Sequence, residues 1–123
     1  MREVVVVEDD PGMREALGRV LSVGGFHVST FVSAEALLAA GLPPETGCCV
    51  FDIRLPKMSG LELYRTLAAR GGAPPVIFMT AFDEPSVRDE ARRLGAAGYL
   101  IKPFGGRQLV EAVIAVVGVN AAS

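Results

Sequence analysis

The chain has 123 residues, half of them apolar, and sets 12 basic against 14 acidic side chains for a net charge of -2. That length builds one compact domain with a true core and is too short for a second. The near balance of charge, with no basic cluster, excludes direct nucleic-acid binding by these residues, and any such contact would need another domain or chain. No secretory or membrane segment is present, since the longest apolar run, 109–119, is broken by Glu111 and Gly118 and falls short of the roughly 20 residues a bilayer requires.

Five short runs rich in β-formers alternate with five helix-like segments, which predicts a parallel sheet covered on both faces. The first strand spans 3–7 and runs into Glu8-Asp9-Asp10. The first helix then starts with Asp10 as cap and Pro11 in first position. Met13, Ala16, Leu17, Val20 and Leu21 recur at the spacing of one buried face, and Gly24-Gly25 stop it. A second strand, 27–31, leads through the cap Ser33 to a short helix ending at Ala40. The third strand, 47–51, holds adjacent Cys48 and Cys49, whose side chains alternate to opposite faces. They read as core thiols of a reduced, cytoplasmic protein ahead of any disulfide or metal role.

After Asp52, the capping box Ser59-Gly60-Leu61-Glu62 opens a third helix that buries Leu63, Tyr64, Leu67 and Ala68 and stops at Gly71-Gly72. A fourth strand, 75–79, precedes Thr80. The fourth helix, from Glu84 to Leu94, carries Val87, Ala91 and Leu94 as a narrow stripe among six charged residues and is expected to be the least firmly anchored. The fifth strand, 98–101, contains Tyr99 and ends at Lys102-Pro103. The last helix, 107–117, is apolar over roughly 220° of arc where one packed face needs about 100°, so the surplus calls for a partner. Leu109, Val113 and Val117 are assigned to the sheet, with Val110, Ile114 and Val116 on the flanks. Residues 1–119 form the domain, and 120–123 a frayed tail.

The chemistry-bearing residues gather at the carboxyl ends of these strands, where open α/β sheets bind ligands. The like charges of Glu8 and Asp9 repel unless a cation offsets them, and a site of few carboxylates completed by water and phosphate suits Mg²⁺ better than caged Ca²⁺. Asp52 reads as a nucleophile whose carboxylate attacks phosphorus to give an acyl phosphate. Lys102, one of two lysines against ten arginines, puts a compact positive charge where a phosphoryl oxygen can sit, and Thr80 offers that oxygen a hydroxyl. Each has an ordinary alternative: solvated acids beside a helix cap, an aspartate capping a turn, an exposed loop lysine, a hydroxyl satisfying a turn. Four independent strand ends carrying a matched set decide for the chemical reading.

The stretches Val5-Val6-Val7-Glu8-Asp9-Asp10, 51–60 (Phe51-Asp52-Ile53-Arg54-Leu55-Pro56-Lys57-Met58-Ser59-Gly60), Phe78-Met79-Thr80-Ala81 and 95–104 (with Tyr99-Leu100-Ile101-Lys102-Pro103-Phe104) stand in order over nearly the whole chain. Together they resemble the receiver domain of bacterial two-component response regulators. Ser33-Ala34-Glu35-Ala36, with Arg54-Leu55-Pro56 and Met58-Ser59-Gly60, looks more like the FixJ class than the others. The resemblance implies a flavodoxin-like, doubly wound three-layer sandwich with strand order 2-1-3-4-5. It implies Asp52 as phosphoacceptor from a sensor histidine kinase. Mg²⁺ would be held by Asp9, Asp52 and the backbone carbonyl of Arg54, with Glu8 acting through water where the family usually has Asp. Thr80 and Lys102 would grip the phosphoryl oxygens, Tyr99 would swing inward when Thr80 moves, and the Lys102-Pro103 bond would be cis. Arg54 and Phe82, two residues beyond Asp52 and Thr80, would tune the phosphoryl lifetime. Read alone, Tyr99 is a half-buried strand aromatic.

The expected output is a two-state switch of the face made by helix four, strand five and helix five, docking a second copy or an effector domain. Catalysis would extend only to the domain's own phosphorylation and dephosphorylation. Three alternatives fit less well. A phosphate-independent interaction module would have lost the acidic pair, Asp52 or Lys102, and all are present. A phosphohydrolase needs Asp-x-Asp after its first strand, where this chain has Glu8-Asp9-Asp10; a flavin site needs a Ser/Thr/Gly-rich loop after Val7. With no effector after Val117, the chain is expected to be a stand-alone receiver or a piece of a longer regulator.

Overall fold

The computed structural model describes residues 3–118; the expected tail, 120–123, and the domain bounds at 1 and 119 lie outside them. The elements are β1 (Glu3–Val7), α1 (Pro11–Val23), β2 (His27–Phe31), α2 (Ala34–Ala40), β3 (Thr46–Asp52), α3 (Gly60–Ala69), β4 (Val76–Thr80), α4 (Pro85–Arg93), β5 (Gly98–Ile101) and α5 (Gly106–Val117). The strands are all parallel in the order β2-β1-β3-β4-β5. The chain reverses its winding between β1 and β3, and such a switch point opens a crevice at the carboxyl edge.

Period-two alternation splits each central strand between two cores. Val5, Val7, Cys49, Phe51 and Phe78 pack with residues of α2, α3 and α4. Val4, Val6, Cys48, Val50, Ile77 and Met79 pack with residues of α1 and α5. Strands buried on both faces therefore read as unbroken apolar runs. The helix starts form as their sequences dictate. Met13 N–H donates to Asp10 Oδ2 at 2.7 Å and Ala36 N–H to Ser33 Oγ at 3.0 Å. Ser59 and Glu62 exchange reciprocal bonds of 3.1 Å.

Several details differ from expectation; on α1, Ala16 is exposed rather than on the buried face. β3 gains a residue at each end, so Asp52 is itself the last strand residue. β4 slides by one, so Thr80 is too: Asp52 pairs with Met79 and Thr80 with Ile101, and Lys102 N–H extends the ladder to Thr80 O at 2.8 Å. On α3 Ala68, expected to be buried, is exposed in the last turn, and Leu61 joins the core instead. On α5 Leu109 and Val113 are buried and Val117 half-buried.

Part of the apolar surplus of α5 is spent within its own layer. A Cβ at Gly24 would lie 3.3 Å from Val110 Cγ2, and one at Gly106 would lie 3.2 Å from Val20 Cγ1, so glycine lets α1 and α5 close on each other. Ile114 and Val116 remain half-exposed. Of α4 only Ala91 is fully buried, which matches its weak anchoring in the sequence. No helix among the described residues is long and apolar enough to cross a membrane.

Candidate functional site

The carboxyl edge of β1, β3 and β5 brings three charged groups into direct contact. Glu8, just past β1, is 1% exposed, and Asp52, at the end of β3, is 4% exposed. Lys102 Nζ, just past β5, donates to Glu8 Oε1 at 2.7 Å and to Asp52 Oδ2 at 3.1 Å. The other carboxylate oxygens accept from backbone: Glu8 Oε2 from Asp10 N–H and Asp52 Oδ1 from Arg54 N–H, both at 3.2 Å. Asp9 completes the cluster from the open side, and ligand atoms of Glu8, Asp9 and Asp52 all lie within 4.8 Å of one another. This hard oxygen set, carrying more negative charge than Lys102 offsets, fits a divalent cation.

The loops that frame the cluster are fixed by contacts less visible in the sequence. Arg14, one turn into α1, donates to the carbonyls of Glu8 at 2.9 Å and Asp9 at 3.3 Å, which pins the acidic turn. The β3–α3 loop folds back on the strand it leaves. Gly60 N–H bonds Ile53 O at 3.0 Å, Lys57 takes a φ of 62°, and a Cβ at Gly60 would stand 2.3 Å from Asp52 O. Only glycine fits that approach.

Thr80 is fully buried, but its hydroxyl points to its own loop, donating to Phe82 O and accepting from Phe82 N–H at 3.1 Å each. Of the two roles open to it in the sequence, it satisfies the turn in this conformation. Tyr99 packs against the α2–α3–α4 core with Arg88 Cζ 5.1 Å from its ring centre. Its enclosed hydroxyl makes no hydrogen bond of ordinary geometry. The Lys102-Pro103 peptide is cis. The Arg54 guanidinium lies over the Phe82 ring, its carbon 4.6 Å from the ring centre, and also pairs with Glu84. Glu84, Arg14 and Gly60 went unnoticed as site residues in the sequence. A carboxylate at the cap position of a helix that begins with Pro85, without the short side chain that usually caps, was the one available signal for Glu84.

Burial pushes the Glu8 carboxyl above its ordinary value of 4.5; the Lys102 hydrogen bond pulls it down, and the charge of Asp52 pushes it up again. Burial by itself lowers Lys102, but the Glu8 hydrogen bond and the Asp52 charge outweigh it and leave the ammonium raised. A carboxyl raised by folding holds its proton more tightly folded than unfolded. Its contribution is then fully favourable below 4.5 and is lost as pH rises through the higher folded value. In metal-free buffer the wild-type domain should therefore lose stability relative to Glu8→Gln as pH rises from 4.5 toward neutrality. Urea midpoints of both proteins across that range check this, and parallel curves would contradict it.

The residues 4–114 match the family model described as the response regulator receiver domain. The chain is 43% identical over 118 residues to the transcriptional regulatory protein FixJ of Azorhizobium caulinodans, covering 96% of this chain and 56% of that protein. It is 38% identical to nodulation protein W of Bradyrhizobium diazoefficiens over 91% of this chain and 49% of the relative. The chain thus spans about half the length of the curated relatives it matches. Among solved structures, the FixJ-N crystal structure superposes with a TM-score of 0.85 at 33% identity, covering 97% of this chain and 95% of that one. The non-phosphorylated HemR receiver domain of Leptospira biflexa does so at 0.88 and 25% identity, covering 97% and 96%. Motif order, doubly wound sheet and the Glu8–Asp52–Lys102 cluster agree with these matches: the chain belongs to the receiver domains of two-component response regulators.

Proposed function

We propose that this domain accepts a phosphoryl group from a sensor histidine kinase in the cytoplasm and holds it on Asp52. The observation that carries this reading is the Asp52 carboxylate, buried at the sheet edge yet bonded to Lys102 at 3.1 Å beside two further carboxylates. One Asp52 oxygen forms the bond to phosphorus as the bond from phosphorus to the donor breaks, and Lys102 holds a phosphoryl oxygen by point charge. Asp9, Asp52 and the Arg54 carbonyl would hold Mg²⁺, with Glu8 reaching it through water. When bound, the ion supplies positive charge that offsets the carboxylates and the incoming group. Thr80 has to leave Phe82 to reach the phosphoryl group, and Tyr99 moves into the space it vacates. The only reactions catalysed are transfer to Asp52 and later hydrolysis.

The output face in this reading comprises α4, β5 and α5. Its support is the shallow anchoring of α4, the 41% exposure of Ile101 on β5 and the half-exposed Ile114 and Val116 on α5. Phosphorylation biases this face by population shift toward a form that binds an effector domain or a second copy.

Three measurements follow. Incubation with acetyl phosphate and Mg²⁺ should add one phosphoryl mass to wild type, none to Asp52→Asn, and little to Asp9→Asn; full labelling of Asp52→Asn, or labelling without metal, overturns the assignment. Phe82 is 58% exposed, lies against the Arg54 guanidinium and offers no polar group to orient water, so loss of the phosphoryl group should be slow. Phe82→Glu should shorten the lifetime, and an equal or longer one counts against Arg54 and Phe82 as its determinants. Sedimentation with and without beryllofluoride, a phosphoryl mimic, should show association only with the mimic; a monomer in both states assigns the face to an effector instead.

A further inference from the structure

Arg54, Phe82 and Glu84 form a closed chain of contacts above the acceptor. Arg54 N–H bonds Asp52 Oδ1 at 3.2 Å, while the Arg54 guanidinium lies on the Phe82 ring and pairs with the Glu84 carboxylate. Phe82 N–H in turn bonds Thr80 Oγ1 at 3.1 Å. The Phe82 carbonyl accepts from the Thr80 hydroxyl and from Glu84 N–H, both at 3.1 Å. Glu84 therefore touches Arg54 through its side chain and Thr80 through one shared carbonyl. It also occupies the cap position of α4 without capping it, because its carboxylate is committed to Arg54.

We propose that Glu84 is a positioning residue that keeps the Arg54 guanidinium parked on Phe82, away from the phosphoacceptor, and so slows phosphorylation of Asp52 by small phosphodonors. The inference rests on the receiver reading given above. Of the two cations in the β3–α3 loop, Arg54 and Lys57, Arg54 is the nearer to Asp52 in sequence, and its backbone already contacts the Asp52 carboxylate. Free of Glu84, its fork of donors is suited to a phosphoryl oxygen in the bidentate manner typical of arginine. With Glu84 in place, an approaching phosphodonor competes with a carboxylate for the same guanidinium. Both side chains are about half exposed, at 53% and 52%, so the pair is weak enough to be displaced and strong enough to bias the population.

The test is a double-mutant cycle on labelling rates with acetyl phosphate and Mg²⁺, using wild type, Glu84→Gln, Arg54→Ala and the double variant. Glu84→Gln keeps the size of the side chain and removes its charge. Its labelling rate should rise by about two- to fivefold, the range in which an exposed ion pair shifts an equilibrium. In the Arg54→Ala background the same change should have no effect, because there is no guanidinium left to release. A role confined to the stability of α4 would move the rate in both backgrounds, and thermal melts of all four proteins read that directly. An unchanged or reduced rate in Glu84→Gln, or an equal change in both backgrounds, overturns the proposal while leaving the receiver reading intact. Absence of labelling in all four proteins, wild type included, overturns both.

Discussion

Two carboxylates withdrawn from water side by side cannot both stay ionised without a cation against them, and Lys102 is that cation. Glu8 and Asp52 come from neighbouring strands, whereas Lys102 comes from the sheet edge, with β4 between it and β3. Adjacent strands lie about 4.8 Å apart, so the Lys102 side chain meets Asp52 across roughly two strand spacings and Glu8 across roughly three. The positions of the first, third and fifth strand ends are thereby tied to one charge. Even so the account does not close: the ammonium meets two buried acids, and Asp9 adds a third negative charge from the open side. Such a surplus of negative charge fits a divalent cation, and in the proposed function a phosphoryl group arriving afterward would meet a balanced field.

Rigidity and mobility are distributed around this centre in a way that suits a switch. β1, β3 and β4 are buried on both faces and set Asp52 and its acidic neighbours firmly in place. On the side that the proposed function makes responsive, α4 commits only one fully buried residue, and Thr80 is held by two hydrogen bonds to a single loop residue. Such bonds each contribute on the order of 1 kcal/mol, an amount that new charge-assisted bonds to a phosphoryl group can exceed.

Most of the fold was legible in the sequence because the signals were local and redundant. The unbroken apolar runs can only be strands buried on both faces, and Asp10, Ser33 and Ser59 cap helices with their own side chains. The gathering of Glu8, Asp9, Asp52 and Lys102 was legible because each lies at or just past the carboxyl end of a strand. Contacts across long loops were less so. Nothing near Glu84 in sequence announces Arg54, thirty positions away, as its partner. The orientation of the Thr80 hydroxyl depends on a rotamer that residue type leaves open. The wide apolar arc of α5 was read as surplus because periodicity counts apolar positions without knowing that α1, closing through Gly24 and Gly106, would claim some of them.

The paired cysteines of β3 carry a practical consequence. Burial alone pushes the Cys48 thiol up to about 12, and Cys49, buried beside it, is raised as well. Burial of both thiols therefore leaves little thiolate at neutral pH, and the thiolate is the species that alkylating reagents attack. The native domain is in effect cysteine-free toward maleimides and iodoacetamides while it stays folded. A fluorophore or spin label placed through a single new surface cysteine on α4 or α5 would report on that helix alone, with no need to remove two side chains from the middle of the core.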